Sequence, residues 1–310
     1  MNNKARYKYF NLIVRSLIGI GALLFIFFKL KDSYHLQLNE LDTISINFLF
    51  VVIAFLLSFF NWGLESLKWK YLIAKIKVVT FIQAYKIILT GITMSLITPN
   101  RVGEIPARAY LLNDKENLNK LIYATFIGSF TQLLVTVFFG TVGVFYSMVW
   151  FDIYLSESVL VSLIIFLMIL IALLMFSNKI KRNILYLFNK QSSIDFSRIT
   201  LLKALIYSFF RYVIFVLQYY CLLEAFGVHF TNIVALWLIP LCFFVASSIP
   251  TFLISEIGVR SSIAIIVFGV LSTNNVAIIA SSIVLWVINI AIPAIFGIGF
   301  MKQLEIREVE

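Results

Sequence analysis

Long uncharged runs of apolar residues recur along this chain and constrain its fold more than any other feature. A helix needs about 20 such residues to cross the hydrocarbon core of a bilayer. Because 61% of the 310 residues are hydrophobic and only 13% are charged, a soluble domain is excluded. We predict an all-α polytopic membrane protein that forms a single integral membrane domain over residues 1–310. About six full transmembrane helices are expected, one ending at Phe28 and five over residues 46–64, 121–150, 159–176, 201–226 and 276–300.

The net charge of +10 indicates a membrane orientation and not a nucleic-acid partner. Lys and Arg collect in short loops beside the apolar runs, as the positive-inside rule expects of cytoplasmic loops. We therefore predict a multi-pass protein of the cell (inner) membrane with both termini in the cytoplasm. The same rule makes residues 65–70, which include Trp69, a basic inner loop with an interfacial tryptophan.

Two further apolar segments are interrupted and are predicted to enter the membrane and return. The first begins at Phe81 and has its tip near Pro99. Because the flanking charges put both of its ends on the inner side, it cannot cross once and is expected to form a re-entrant hairpin. The second covers residues 233–271 and is broken at Pro250, and we favour a hairpin from the outer side. Since residues 233–249 are uncharged, two full spans are the alternative, which would give eight spans in all.

The order span, hairpin, span occurs twice, over residues 46–150 and 201–300, with opposite orientation. We interpret these stretches as approximate halves of an inverted repeat. Paired interrupted segments at corresponding positions of two halves are typical of the substrate sites of transporters. The sequence therefore predicts a site where the two hairpins meet.

The interrupted segments carry ionisable residues, which are costly in hydrocarbon unless protein or a water-filled cavity surrounds them. The planar guanidinium of arginine matches phosphate and stays charged when poorly hydrated. We interpret Arg101, Arg108 and Arg260 as ligands of an anionic head group. Glu104 and Glu256 would hold the arginines when the site is empty, or would take up protons, since burial raises the pKa of a carboxyl group. The alternative is that all five form structural ion pairs that tie the hairpin tips to the helix bundle.

Other residues complete the expected site. Helix breakers and small residues are predicted as the hinges or tips of the hairpins: Pro99, Gly103, Pro250 and Gly258. Arg211 and Glu224 lie on one face of a span and are candidate pathway residues. Glu65 with Lys68 is interpreted as interfacial packing. Neither a cofactor nor a metal is expected, because the sequence has no metal-ligand spacing and no cofactor motif.

Two motifs, in their order along the chain, resemble those of a known family. They are Pro99-x-Arg101-x-Gly103-Glu104 with Arg108-Ala109-Tyr110, and Ile249-Pro250 with Gly258-Val259-Arg260. With Trp69 and residues 289–293, they make the chain similar to the flippase-like transmembrane family that includes the membrane part of lysylphosphatidylglycerol synthases. The chain departs from the family pattern at Ser255-Glu256, where Gly-Gly is usual, and at Ser261, where a glutamate usually follows the arginine.

The resemblance implies a lipid flippase or transporter that moves an anionic phospholipid or lipid-linked phosphate between leaflets. Its partners would be the bilayer and the anionic head group of a membrane lipid. Synthesis of the lysyl lipid is not expected, because the soluble aminoacyl-transfer domain is absent. The alternatives are an integral-membrane enzyme that modifies lipids and a non-transporting membrane scaffold. Since the sequence has no paired-Asp metal motif and no Ser/His/Asp set, we expect no enzymatic activity.

Overall fold

Helices account for all the regular secondary structure in the part of the chain that the structure describes. A computed structural model describes residues 46–96, 98, 101–148, 196–230, 233–251 and 253–306. The helices are α1 (Phe48–Ile73), α2 (Phe81–Ser95), α3 (Glu104–Tyr110), α4 (Leu118–Ser147), α5 (Arg198–Ala225), α6 (Leu238–Ser248), α7 (Leu253–Phe268), α8 (Asn275–Trp286) and α9 (Ile292–Ile306). A short 3-10 helix, Val234–Trp237, leads into α6, and a π-helical turn, Val287–Ala291, joins α8 to α9.

Four helices are long and apolar enough to cross a membrane. They are Phe48–Ile73, Leu118–Ser147, Arg198–Ala225 and the continuous helix Asn275–Met301. Their outer faces expose large apolar side chains, as surfaces in contact with lipid do. The all-α membrane class is confirmed, and these helices match four of the expected spans. The other two expected spans, ending at Phe28 and over residues 159–176, lie outside the described residues.

Helix α1 is longer than the sequence predicts. The inner loop expected at residues 65–70 is part of α1, so that prediction is wrong. Glu65, Lys68 and Trp69 are buried against other helices. The Trp69 indole N–H, for example, donates to Thr125 Oγ1 at 2.9 Å. A basic stretch in a membrane protein indicates a loop only when its side chains have no buried partners. Here such partners exist on distant parts of the chain, so the stretch remains helical.

The first interrupted segment folds as α2, a break and α3. Within the break the Thr98 hydroxyl donates to the Ser95 carbonyl (2.7 Å) and accepts from the Gly103 amide (3.0 Å). A Cβ on Gly103 would lie 2.6 Å from the Thr98 side chain, so this close approach requires glycine. Arg101 has φ 54°, in the left-handed region that non-glycine residues rarely adopt. Pro99, at the predicted tip, lies outside the described residues.

The second interrupted segment breaks between α6 and α7. Ile249 leaves α6 in an extended conformation (ψ 123°), and Pro250 follows it. Proline cannot continue the helix because it has no N–H to donate. Glu256 and Arg260 lie beyond the break, in the first turns of α7, and Gly258 between them is buried.

Each interrupted segment packs against the last long helix of the other half of the chain. Helix α2 lies along α9, α6 lies along α4, and α1 packs along α5. Glycine permits both close approaches. A Cβ on Gly297 would lie 2.3 Å from the Leu89 carbonyl oxygen, and a Cβ on Gly143 would lie 2.8 Å from the Leu241 amide nitrogen. The two halves therefore interlock.

Two hydrophobic clusters meet near the middle of the long helices. Along α1, Ala54 belongs to one cluster and Trp62 to the other; along α5, Tyr212 belongs to the first and Ala204 to the second. The buried residues between these positions are polar, namely Ser58 and Asn61 in α1 and Ser208 in α5. Asn61 and Ser208 belong to the site described next.

Candidate functional site

Each long helix contributes a polar side chain from the middle of its length. These are Asn61 in α1, Gln132 in α4, Arg211 in α5 and Asn289 in the π-helical turn. Arg211 Nε donates to Asn61 Oδ1 (2.8 Å), and Asn61 Nδ2 donates to Asn289 Oδ1 (3.2 Å). Arg211 Nη1 also donates to Gln132 Oε1 (3.4 Å). At 1.5 Å per residue, this network is about 20 Å from either end of helices that have 26 to 30 residues.

Glu65 is the centre of a buried cluster of charges, one turn further along α1. Its carboxylate lies 2.8 Å from Lys68 Nζ, 2.7 Å from Arg108 Nη1 and 3.2 Å from Arg211 Nη1. The side chains of Glu65, Lys68 and Arg108 are only 4%, 1% and 5% exposed. Arg108 also pairs with Glu104, one turn earlier in α3. The carboxylate of Glu65 thus forms ion pairs with side chains from α1, α3 and α5.

Small residues and backbone carbonyls accommodate the long basic side chains of this cluster. A Cβ on Gly91 would lie 2.9 Å from Arg108 Cγ, so glycine on α2 leaves room for the arginine. Lys68 Nζ donates to the Gly128 carbonyl (3.0 Å) and to Ser208 Oγ (3.3 Å). Buried charges are tolerated only with such partners, because the desolvation of each ion costs several kcal/mol.

Glu256 joins the two interrupted segments. Arg101 Nη2 lies 3.1 Å from Glu256 Oε1, and Arg260 reaches the same oxygen through Nε and Nη2, each at 2.9 Å. Arg101 comes from the break after α2, whereas Glu256 and Arg260 are one turn apart in α7. The Arg101 and Arg260 side chains remain 27% and 25% exposed. The two segments that the sequence predicts to meet are thus in contact through charged side chains.

A cavity of about 90 Å³ lies beside both clusters of charges, and Arg101, Arg211 and Arg260 are among the residues that line it. Much of the remaining wall is aromatic, from Trp62, Phe215, Tyr219, Phe243 and Trp286. The guanidinium carbon of Arg211 lies 5.0 Å from the centroid of the Trp62 ring, within the range of a cation–π interaction. The buried Trp62 indole N–H has no acceptor among the described residues.

The structure separates the predicted arginines into two groups. Arg101 and Arg260 line the cavity, and so does Arg211, which the sequence analysis considers only as a pathway residue. Arg108 does not line the cavity, because its guanidinium is directed to the carboxylates of Glu65 and Glu104. It contacts the cavity only indirectly, through the carboxylate that also holds Arg211.

Glu224 lies apart from the cavity, near the C-terminal end of α5. Its carboxylate accepts from the Phe230 amide (3.1 Å) and lies 2.7 Å from Nδ1 of the exposed His229. Roughly 20 Å of helix separates it from Arg211. Arg211 and Glu224 therefore share a helix but not a site.

Three residues of the site are missed by sequence reasoning. Glu65 is interpreted there as interfacial packing, and Asn61 and Trp62 are not singled out. One signal in the sequence points to them: Asn61 and Glu65 are polar and lie one turn apart, in a helix that extends to Ile73. Among the described residues, no group of three or more His, Cys, Asp or Glu comes together as a metal site.

The fold and the site define an all-helical integral membrane protein with a basic, aromatic cavity among its long helices. Compared with known families, residues 12–297 match the model of the lysylphosphatidylglycerol synthase TM region. Because this match covers most of the chain, the protein belongs to that family, and the resemblance of the sequence motifs is confirmed. None of the curated proteins matches the chain.

Proposed function

We propose that this protein moves an anionic phospholipid or a lipid-linked phosphate between the two leaflets of the membrane. One observation carries the proposal. Arg101 of the first interrupted segment and Arg260 of the second share a carboxylate beside a cavity near the middle of the long helices. Many secondary transporters bind their substrate near the bilayer midplane, where the interrupted helices of two repeats meet.

In the proposed topology the interrupted segments are re-entrant hairpins, with α2 and α3 entering from the inner side and α6 and α7 from the outer side. Helix α6 has 11 residues and α7 has 16, which correspond to about 17 Å and 24 Å, whereas the hydrocarbon core is about 30 Å thick. Neither helix alone is long enough to cross. Positively charged inner loops support a single domain in the cell inner membrane with cytoplasmic termini.

Cross-packing supports an inverted repeat with halves at residues 46–150 and 201–300. Gly143 and Gly297 lie toward the ends of the last long helices of the two halves, and each contacts the interrupted segment of the other half. Arg101 and Glu256 are separated by 155 residues, and the two glycines have nearly the same separation. The contact between the interrupted segments thus joins positions that correspond in the repeat.

The guanidiniums supply the binding chemistry of the proposed transport. In the structure, Arg101 and Arg260 both donate to Glu256. A phosphate can replace the carboxylate as their partner, because guanidinium makes charge-assisted hydrogen bonds to both kinds of oxyanion. Arg108 and Glu104 act as positioning residues, since Glu104 pairs with Arg108 and Arg108 holds the carboxylate of Glu65.

A leaflet-exchange assay tests this proposal. The purified protein is reconstituted into liposomes with fluorescent phosphatidylglycerol, and a membrane-impermeant reductant reports how fast inner-leaflet lipid reaches the outside. Arg101→Ala and Arg260→Ala are each expected to slow exchange about tenfold or more, because a hydrogen bond to a charged group contributes about 1.5–3 kcal/mol. Arg198→Ala, which removes an exposed arginine at the start of α5, is the matched control and should exchange like wild type.

Equal exchange in wild type, Arg101→Ala and protein-free liposomes would contradict the proposal. We also expect mass spectrometry to recover the lipid chemically unchanged, since the proposal assigns no enzymatic activity. A new lipid species formed by the purified protein would indicate an enzyme instead.

A further inference from the structure

The wall of the cavity has an uneven charge distribution. Three arginines line it, and among the described residues no aspartate or glutamate does. Glu256 lies behind Arg101 and Arg260, with its side chain only 7% exposed. A ligand that enters the cavity therefore meets positive charge and the faces of aromatic rings.

The charge network around the cavity has an excess of positive charge. Its two clusters together hold five basic side chains and three acidic ones: Lys68, Arg108 and Arg211 with Glu65 and Glu104, and Arg101 and Arg260 with Glu256. Unbalanced charge is costly in a poorly hydrated interior. A ligand with close to two negative charges would balance this network, and a phosphate monoester carries about −1.5 to −2 near neutral pH.

The size of the cavity limits what part of a ligand it holds. Its volume of about 90 Å³ is well below the roughly 300–1,000 Å³ of sites that enclose drug-sized molecules. It has room for a small group such as a phosphate.

We infer that the cavity binds a terminal phosphate monoester, and that it binds this group more tightly than a phosphodiester and far more tightly than an aminoacylated head group. This inference rests on the proposed function, because it names the substrate class of the same site. A phosphodiester brings only one negative charge to Arg101, Arg211 and Arg260. A lysyl ester brings ammonium groups, which the three guanidiniums repel. The shared chemistry is the phosphate monoester, whether on a lipid or on a soluble molecule.

Thermal stabilisation in detergent measures this preference without requiring transport, because a ligand that binds only the folded state raises the unfolding temperature. The full chain is titrated with phosphatidic acid, phosphatidylglycerol and lysylphosphatidylglycerol of matched acyl chains. Phosphatidic acid is expected to reach half-maximal stabilisation at the lowest concentration, and lysylphosphatidylglycerol at a concentration at least about tenfold higher. Glycerol 3-phosphate and inorganic phosphate form the soluble arm. Equal potency of glycerol 3-phosphate assigns the site to soluble monoesters, and much weaker potency assigns it to lipids.

Variants link this order of affinities to the cavity. Arg101→Gln should abolish the advantage of phosphatidic acid, and Arg198→Gln, which removes the same charge at an exposed position, should retain it. The order measured on wild-type protein tests the inference even if a variant fails to fold. Equal or tighter binding of lysylphosphatidylglycerol, or retention of the full preference in a folded Arg101→Gln variant, would overturn it.

The outcomes separate this inference from the proposed function. If phosphatidic acid binds as expected but no lipid changes leaflet, the phosphate site stands and the transport proposal fails. If lysylphosphatidylglycerol is moved faster than phosphatidic acid in a manner that depends on Arg101, transport stands and the inference about the substrate fails.

Discussion

Removal of the carboxylate of Glu65 is the perturbation for which the structure makes the sharpest prediction. Glu65→Gln keeps the size and shape of the side chain but removes its charge. Three cations within 3.2 Å of that carboxylate, on Lys68, Arg108 and Arg211, then lose a common partner. Arg108 keeps Glu104, but no other carboxylate among the described residues pairs with Lys68 or Arg211 in the structure.

The expected destabilisation is large. Breaking a buried ion pair by removing one partner costs about 3–5 kcal/mol, because the other charge remains buried and uncompensated. At roughly 2–4 °C for each kcal/mol, the unfolding midpoint should fall by about 10 °C. Glu104→Gln is the matched control: its side chain is 22% exposed and it pairs with one cation, so a loss of about 1 kcal/mol is expected.

Equilibrium unfolding in mixed detergent micelles measures both variants, and a double variant tests the cause. Lys68→Met removes one of the uncompensated cations, so Glu65→Gln/Lys68→Met should be more stable than the sum of the single effects predicts, by about 0.5–3 kcal/mol. If Glu65→Gln unfolds within about 0.5 kcal/mol of wild type, or if the two changes are additive, Glu65 is not the electrostatic centre of the bundle.

Three further predictions follow from contacts elsewhere in the molecule. Gly297→Ala should destabilise the protein by about 1–3 kcal/mol, because its Cβ would lie 2.3 Å from the Leu89 carbonyl and force α9 away from α2. Gly299→Ala is the control: with no atom within 4 Å of its Cβ, it should unfold at the wild-type temperature or slightly above it in a thermal assay. Glu224→Gln should leave leaflet exchange unchanged, since Glu224 contacts only the end of α5 and the loop after it, and a loss of exchange would bring it into the pathway. Trp69→Phe should lower the free energy of unfolding by about 1–2 kcal/mol, because it leaves the buried Thr125 hydroxyl without the indole donor; a neutral effect on the unfolding midpoint would contradict this.

Much of the architecture is predictable because it depends on local properties of the chain. A bilayer requires long apolar helices, so the four described long helices are visible as apolar runs in the sequence. Proline and clustered charge are local signals too, and they mark the two breaks, near Thr98 and at Pro250. The boundary of α1 is predicted wrongly for a related reason, since the run of charges at its end resembles a loop until its partners are known.

The partners of the charged residues are not predictable in this way. The sequence suggests that Arg101, Arg108 and Arg260 act alike, whereas the structure puts Arg101 and Arg260 on the cavity wall and directs Arg108 to Glu65. The carboxylate of Glu256 receives Arg101 from 155 residues away. Such pairings depend on how whole helices pack, and hydrophobic periodicity contains no information about them.

The sequence by itself determined that this protein is embedded in lipid, because burial in lipid constrains composition directly. It also determined the number of breaks in the described helices and the kinds of side chain that lie near them. Only the tertiary structure decided that the centre of the bundle is organised by Glu65 and that Arg211 joins Arg101 and Arg260 around a cavity. The physical reason is that a charge in a nonpolar medium is stabilised by whichever opposite charge the packing of distant helices brings within about 3–4 Å.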